Sequence, residues 1–235
     1  GFDMNKLLTS IAAAGMLAIS YTTSAISIEL PEVRVGVTHT EDVVYGSVLE
    51  TRTNNRNNKQ KGLFLNDSTG AFAEVGIKQL MGLSIGFEMG GDGLTNTMER
   101  VVQGRSTKVA ATGSTAEEDE NGTQTVNISI DDSSSLYVLM PIMDTGFYVK
   151  AGQIDVDVIT KETLFTGSTY GNVGLSGDFV GAGYQYNIGD YFFARAEGLY
   201  TEYGAASVTG SGEGDKISLS DVGSASAKFS LGLRY

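Results

Sequence analysis

The sequence predicts an all-β fold: an eight-stranded antiparallel up-and-down transmembrane β-barrel. The closing strand gives the strongest indication, because side chains alternate between the two faces of a strand. One face of this strand is apolar and the other carries Lys228, Arg234 and small residues. In a membrane barrel the apolar face contacts lipid, and a terminal aromatic residue lies at the membrane–water interface. The apolar face consists of Phe229, Leu231, Leu233 and Tyr235.

The N-terminal segment is the second observation, because residues 4–25 have the features of a secretory signal peptide. Lys6 supplies a positive charge, an apolar stretch follows, and Thr23 and Ala25 are small residues at a cleavage site. The apolar stretch is too short for a membrane-spanning helix. We therefore predict export, with cleavage leaving a barrel domain of residues 26–235.

Composition supports a barrel and excludes other classes. The chain has 31 Gly, two Pro and no Cys, so an exported protein of this kind would be held together without disulfides. The net charge of −12 excludes a nucleic-acid-binding role, which requires a basic surface.

The eight strands are predicted from alternating apolar and polar residues. They cover residues 32–40, 71–79, 83–89, 134–141, 147–158, 177–188, 191–202 and 228–235. In the fifth strand the apolar positions change from odd to even, which predicts a β-bulge near Gly152 and Gln153. The polar stretch 51–61 and the Gly- and Ser-rich stretch 203–220 are predicted loops. Residues 98–110 and 123–130 are predicted extensions of strands.

The connections between the strands alternate between short and long. Strands two and three, four and five, and six and seven are joined by a few residues, whereas the other connections are long. Outer-membrane barrels have short periplasmic turns and long extracellular loops. A soluble, lipocalin-like barrel is the alternative, and it would bury the apolar face and expose the charged one.

Three stretches resemble small outer-membrane β-barrels of the opacity-protein and outer-membrane-protein-A-like type. They are FYVKAGQIDVDV (147–158), GDFVGAGYQYNIGDYFFARAEGLYTEY (177–203) and KFSLGLRY (228–235), and residues 71–91 are similar to the first periplasmic hairpin of that family. The resemblance implies a location in the bacterial outer membrane, contact with lipid and lipopolysaccharide, and insertion by a barrel assembly machinery. It also implies that the apolar C-terminal face serves as the assembly signal, although family members usually end in Phe and this chain ends in Tyr235.

The polar face of the predicted strands carries both acidic and basic residues. An eight-stranded barrel is just wide enough for side chains to fill it, and an unpaired buried charge is costly. We therefore predict a structural network of ion pairs that closes the lumen, and the alternative is a small porin-like channel. The network comprises Arg34, Glu74, Lys78, Glu88, Lys150, Arg195, Glu197, Lys228 and Arg234, with Asp155 and Asp157 near the rim.

No pattern of catalytic or cofactor-binding residues is evident. His39 is the single histidine, and we interpret it as a residue of the barrel rim rather than a catalytic base. The acidic run 117–120 lacks the ligand spacing of a calcium loop, so it predicts a solvated loop. The sequence thus predicts a monomeric, non-enzymatic barrel without a cofactor, which displays long loops for envelope structure or surface interaction.

Overall fold

The computed structural model describes residues 31–51, 57–77, 82–91, 96–107, 119–163, 171–211 and 216–235. The predicted signal peptide, Lys78, and Glu117 and Glu118 of the acidic run lie outside the described residues. Among the described residues, no helix has the length and apolar character needed to cross a membrane.

The described residues form ten strands, and eight of them make up a closed antiparallel barrel. The strands are β1 (Glu32–Thr51), β2 (Asn57–Ile77), β3 (Leu83–Gly91), β4 (Asn96–Thr107), β5 (Asp119–Pro141), β6 (Phe147–Thr163), β7 (Val173–Ile188), β8 (Phe192–Tyr203), β9 (Ala206–Thr209) and β10 (Lys216–Arg234). Pairing runs β1-β2-β3-β5-β6-β7-β8-β10, and β10 pairs with β1 to close the ring. β4 adds to β5 and β9 adds to β10. The predicted fold class is confirmed.

The two faces of the barrel wall differ in polarity as the alternation predicts. Val180 and Leu231 are 57% and 63% exposed on the outside, whereas Arg195 is only 4% exposed inside. A soluble barrel would have the reverse arrangement, so the soluble alternative is wrong.

The short connections lie together at one end of the barrel, which we call the turn end. Gly146, before β6, and Gly189, before β8, have φ angles of 82° and 66°. Residues with a Cβ atom rarely adopt this left-handed conformation, so glycine allows these tight reversals. Tyr235 lies at the same end, where its backbone exchanges two hydrogen bonds with Val33.

At the opposite end, which we call the hairpin end, the strands are longer than predicted. β1 and β2 pair without interruption from Glu32↔Gly76 to Thr51↔Asn57. Asn57–Lys61 therefore belongs to a strand, and the prediction of a loop over 51–61 is wrong for this part. Strand pairing uses the backbone, so a polar stretch can extend a hairpin into water without an apolar face. The two predicted extensions are confirmed by β4 and by the first part of β5.

The predicted bulge in the fifth strand is wrong. β6 pairs with β7 in continuous register from Phe147↔Tyr184 to Val158↔Val173. The even-numbered apolar residues Val156 and Val158 instead turn inward, where they form an apolar cluster with Leu175. Asp155 and Asp157 consequently face outward and do not line the lumen. The register shifts in β5, between Ile130 and Ser133.

The outward apolar side chains form a belt around the barrel. Along β1 the outward residues are Val33, Val35 and Val37, followed by His39 and Glu41. Along β8 the outward positions from Phe192 to Tyr200 carry no charge, and at about 3.4 Å per residue and a tilt of about 40° these eight residues rise about 21 Å along the axis. This height is close to the apolar band of about 25 Å that an outer-membrane barrel presents to lipid.

Candidate functional site: the charged interior

A first ion cluster lies inside the barrel toward the turn end and is centred on Glu74 of β2. Arg195 of β8 reaches across the lumen and binds both carboxylate oxygens, with Nη1–Oε1 at 2.5 Å and Nη2–Oε2 at 2.6 Å. Tyr137 donates its hydroxyl to Oε1 at 2.8 Å. Arg34 lies 3.5 Å from Glu74 and 2.9 Å from Glu32. This bidentate geometry gives strong, directional hydrogen bonds.

Aromatic rings surround the Arg195 guanidinium. Its central carbon lies 4.7 Å from the ring centroid of Phe193, 5.4 Å from that of Phe72 and 5.5 Å from that of Tyr148. A cation over the face of a desolvated ring is attracted to it, so these contacts hold the guanidinium in place.

The rings fit because small residues lie beneath them. A Cβ at Gly86 would come within 2.4 Å of the ring of Tyr137. Glycine on the inner face therefore leaves the space in which a large ring can lie flat against the wall.

A second ion cluster lies farther toward the hairpin end. Lys228 of β10 binds Glu88 of β3 at 2.5 Å, and Lys150 of β6 lies 3.6 Å from Glu88 and 3.2 Å from Glu197. The Lys150 ammonium also lies 3.9 Å from the ring centroid of Tyr137, which links the two clusters. Thr38 donates a hydrogen bond to Glu88 at 3.3 Å.

The charges of the two clusters cancel. The ion pairs join four basic side chains, Arg34, Lys150, Arg195 and Lys228, to four acidic ones, Glu32, Glu74, Glu88 and Glu197. Burial of a charge is tolerated only when the charge is paired and hydrogen-bonded. The clusters therefore join strands from opposite sides of the barrel without a net buried charge.

Seven of the nine residues predicted for the network meet in these two clusters. Arg34, Glu74 and Arg195 are in the first, whereas Glu88, Lys150, Glu197 and Lys228 are in the second. Arg234 instead lies at the turn end and donates to the backbone carbonyls of Asp190 and Gly189. Lys78 is outside the described residues.

Glu32 and Tyr137 were not predicted. Glu32 could have been predicted from its even-numbered position in β1, because Arg34, two residues later, faces the same side of the strand. Tyr137 points into the lumen, whereas most aromatic residues of the wall point outward. Its role depends on its contact with Glu74, which the sequence does not show.

A cavity of about 60 Å³ lies in the lumen beside the second cluster and has both apolar and polar lining residues. Ile154, Val156, Phe179 and Leu199 line it together with Glu88 and Lys228. Several other lining side chains carry oxygen atoms. Residues that contribute them include Thr40, Asp42, Asn66, Thr201, Ser224 and Ser226.

His39 faces outward, away from this interior. Its Nε2 lies 3.7 Å from Glu41, and within the described part of the chain no serine or threonine hydroxyl is hydrogen-bonded to it. The part of the chain that the structure describes contains no group of three or more His, Cys, Asp or Glu side chains that could hold a metal ion. Among the described residues, the partner of His39 is therefore an acid and not a nucleophile.

A closed sheet satisfies its backbone hydrogen bonds within the wall, and an apolar belt around an ionic interior fits a bilayer rather than water. The chain is a closed antiparallel β-barrel whose apolar outer face suits a membrane. No protein-family model matches its sequence, and no curated protein matches it.

Several solved structures are similar in outline. Ail, the attachment invasion locus protein of Yersinia pestis, in complex with the heparin analogue sucrose octasulfate, is 12% identical with a TM-score of 0.46, covering 88% of this chain and 100% of that one. The outer membrane protease OmpT of Escherichia coli is 9% identical with a TM-score of 0.40, covering 91% and 99%. A Pseudomonas aeruginosa FadL homologue is 8% identical with a TM-score of 0.26, covering 88% and 90%. Similarity at this level assigns no activity to the chain.

Proposed function

We propose that this barrel is a closed-lumen surface protein that presents its outer hairpins for envelope structure or surface interaction. The unbroken pairing of β1 and β2 as far as Thr51↔Asn57 carries the proposal. Because position 43 already lies about 26 Å from position 33 along the axis, the last part of this ribbon extends beyond the apolar belt. Recognition residues commonly lie on segments held by a rigid scaffold.

The two ion clusters support the closed lumen. Both join strands across the interior, and the rings of Phe72, Phe193 and Tyr148 occupy the space around Arg195. We infer that side chains filling the lumen in this way block solute passage. The function we propose therefore includes neither transport nor a chemical reaction.

The proposed partners follow from location. The belt contacts outer-membrane lipid, the hairpin end lies among lipopolysaccharide, and a surface ligand binds the hairpins. The outward face of β10, from Phe229 to Tyr235, is the proposed signal for the assembly machinery. We propose a monomer, since ring closure leaves no strand edge in the barrel wall for a second copy.

Shortening the β1–β2 hairpin tests the surface role. Gly46 and Gly62 are register partners, so replacing residues 47–61 by a two-residue turn removes the protruding ribbon at a matched position. We expect the shortened barrel to fold, with a mobility shift on an unheated denaturing gel. Bacterial cells that carry the shortened barrel should bind less well to a surface coated with matrix proteins, or should become more sensitive to detergent. A folded, surface-exposed variant that retains both properties would contradict the proposed role of this hairpin.

Planar-bilayer recording tests the closed lumen. We expect no large, steady conductance from the purified monomer, because the ion clusters and rings fill the lumen. A steady open conductance from every inserted monomer would support the channel alternative and contradict the closed-lumen function.

A further inference from the structure

Asp42 is a lumen-facing acid that the ion pairs leave out. It lies on the inner face of β1 and lines the lumen cavity, with Ser226 donating a hydrogen bond to its Oδ1. Within the described residues, no lysine or arginine nitrogen lies within 4.0 Å of its carboxylate, and the nearby Lys228 is bound to Glu88. Among the described residues the two clusters are neutral, so an ionised Asp42 adds one negative charge that these clusters do not compensate.

The surroundings of Asp42 suit a small cation. The cavity of about 60 Å³ is large enough for water or a small ion, because about 10–15 Å³ is enough for one water molecule. The polar part of its lining offers hydroxyl, amide and carboxylate oxygens, which are the ligands preferred by hard cations. Glu88 already accepts from Lys228 and Thr38, so Asp42 supplies the only uncompensated charge among the described residues that line the cavity.

We propose that this cavity binds one hard monovalent cation of the size of sodium or potassium, with the Asp42 carboxylate as its counter-charge. One carboxylate among neutral oxygens matches a single positive charge, whereas calcium sites usually gather several carboxylates. The bound ion compensates the charge of Asp42 and connects β1 to the strands that face it. The inference is independent of the surface role proposed above.

The test measures unfolding of the refolded barrel in detergent micelles at increasing sodium chloride. N-methylglucamine chloride replaces sodium to keep ionic strength constant, because this large cation screens charge but does not fit the cavity. Binding of one ion to the folded state multiplies the folding equilibrium constant by 1 + [Na⁺]/Kd. Above Kd we therefore expect about a tenfold rise in that constant for each tenfold rise in sodium.

Two neighbouring acids provide a matched comparison. Asp42→Asn should lose the sodium dependence, whereas Glu41→Gln, which removes an outward acid from the adjacent position, should keep it. Persistence of the full dependence in Asp42→Asn would overturn the proposal, because the ion would then bind elsewhere. A wild-type protein that responds equally to sodium and N-methylglucamine would also overturn it and would indicate that Asp42 carries a proton instead.

A size series on the wild type covers the case in which Asp42→Asn does not fold. We expect stabilisation by sodium or potassium and its loss with caesium and N-methylglucamine, because the cavity has a fixed size. Equal stabilisation by every cation in the series would contradict a defined site.

Discussion

Replacing Glu74 by Ala is expected to lower the free energy of unfolding by about 3–5 kcal/mol, the cost of breaking a buried ion pair from one side. The Glu74 side chain is fully buried, and that of its partner Arg195 is 1% exposed. The change leaves the guanidinium without its carboxylate and the Tyr137 hydroxyl without its acceptor. Urea-induced unfolding in detergent, followed by circular dichroism, measures the loss.

Glu41→Gln is the control for this prediction. Glu41 is also a glutamate on a barrel strand, but its side chain is 73% exposed on the outside, and we expect a change within about 0.5 kcal/mol. If Glu74→Ala cost no more than Glu41→Gln, the first ion cluster would not be the structural centre that its geometry indicates.

An arginine placed on the outside of β1 should destabilise the barrel according to its depth. Val37 is 60% exposed near the middle of the apolar belt, so Val37→Arg should cost about 2–4 kcal/mol in a lipid bilayer. Val43 faces the same side of the same strand but lies beyond Glu41, where the cost should fall to about 0–1 kcal/mol. Unfolding of the two variants in lipid vesicles measures the difference.

Measuring Val37→Arg and Val43→Arg in detergent separates the effect of lipid contact from the effect of side-chain packing. In a short-chain detergent that thins the apolar layer, the difference between the two variants should shrink, because less hydrocarbon has to be excluded from the charge. Equal costs at both positions in bilayers would contradict the location of the apolar belt.

The sequence was sufficient for the faces of the barrel wall. In β8 the odd positions, including Arg195 and Glu197, face inward as predicted, because a strand has only two faces and a lipid-facing position excludes charge. The same reasoning failed in β6, where Val156 and Val158 were interpreted as outward residues after a bulge. Beyond the apolar belt, water replaces lipid outside and an apolar residue is better placed inside.

Strand length was the other property that the sequence did not determine. Residues 57–61 are polar and resemble a loop, yet they pair with the end of β1. In water such a hairpin can be polar on both faces, so no apolar alternation marks it. Prediction from alternation therefore finds the membrane-embedded part of each strand and misses the rest.

The contents of the lumen could be predicted only as a list. Parity identifies Glu74, Glu88, Lys150 and Arg195 as inward residues, but their pairing depends on the register across eight strands. Asp42 illustrates the difficulty, because nothing in the sequence distinguishes an inward acid without a basic partner from one that has such a partner. Its separation from the ion clusters became evident only from the structure.

Collision rates of spin labels in lipid vesicles test most directly whether the apolar face meets hydrocarbon. The chain has no cysteine, so single Cys variants from Phe192 to Glu202 can each be labelled alone. We expect labels at positions 192, 194 and 196 to collide mainly with lipid-dissolved oxygen, and labels at the intervening inward positions to collide little with it. Preferential collision of the labels at 192, 194 and 196 with a water-soluble paramagnetic complex would contradict a membrane-embedded barrel.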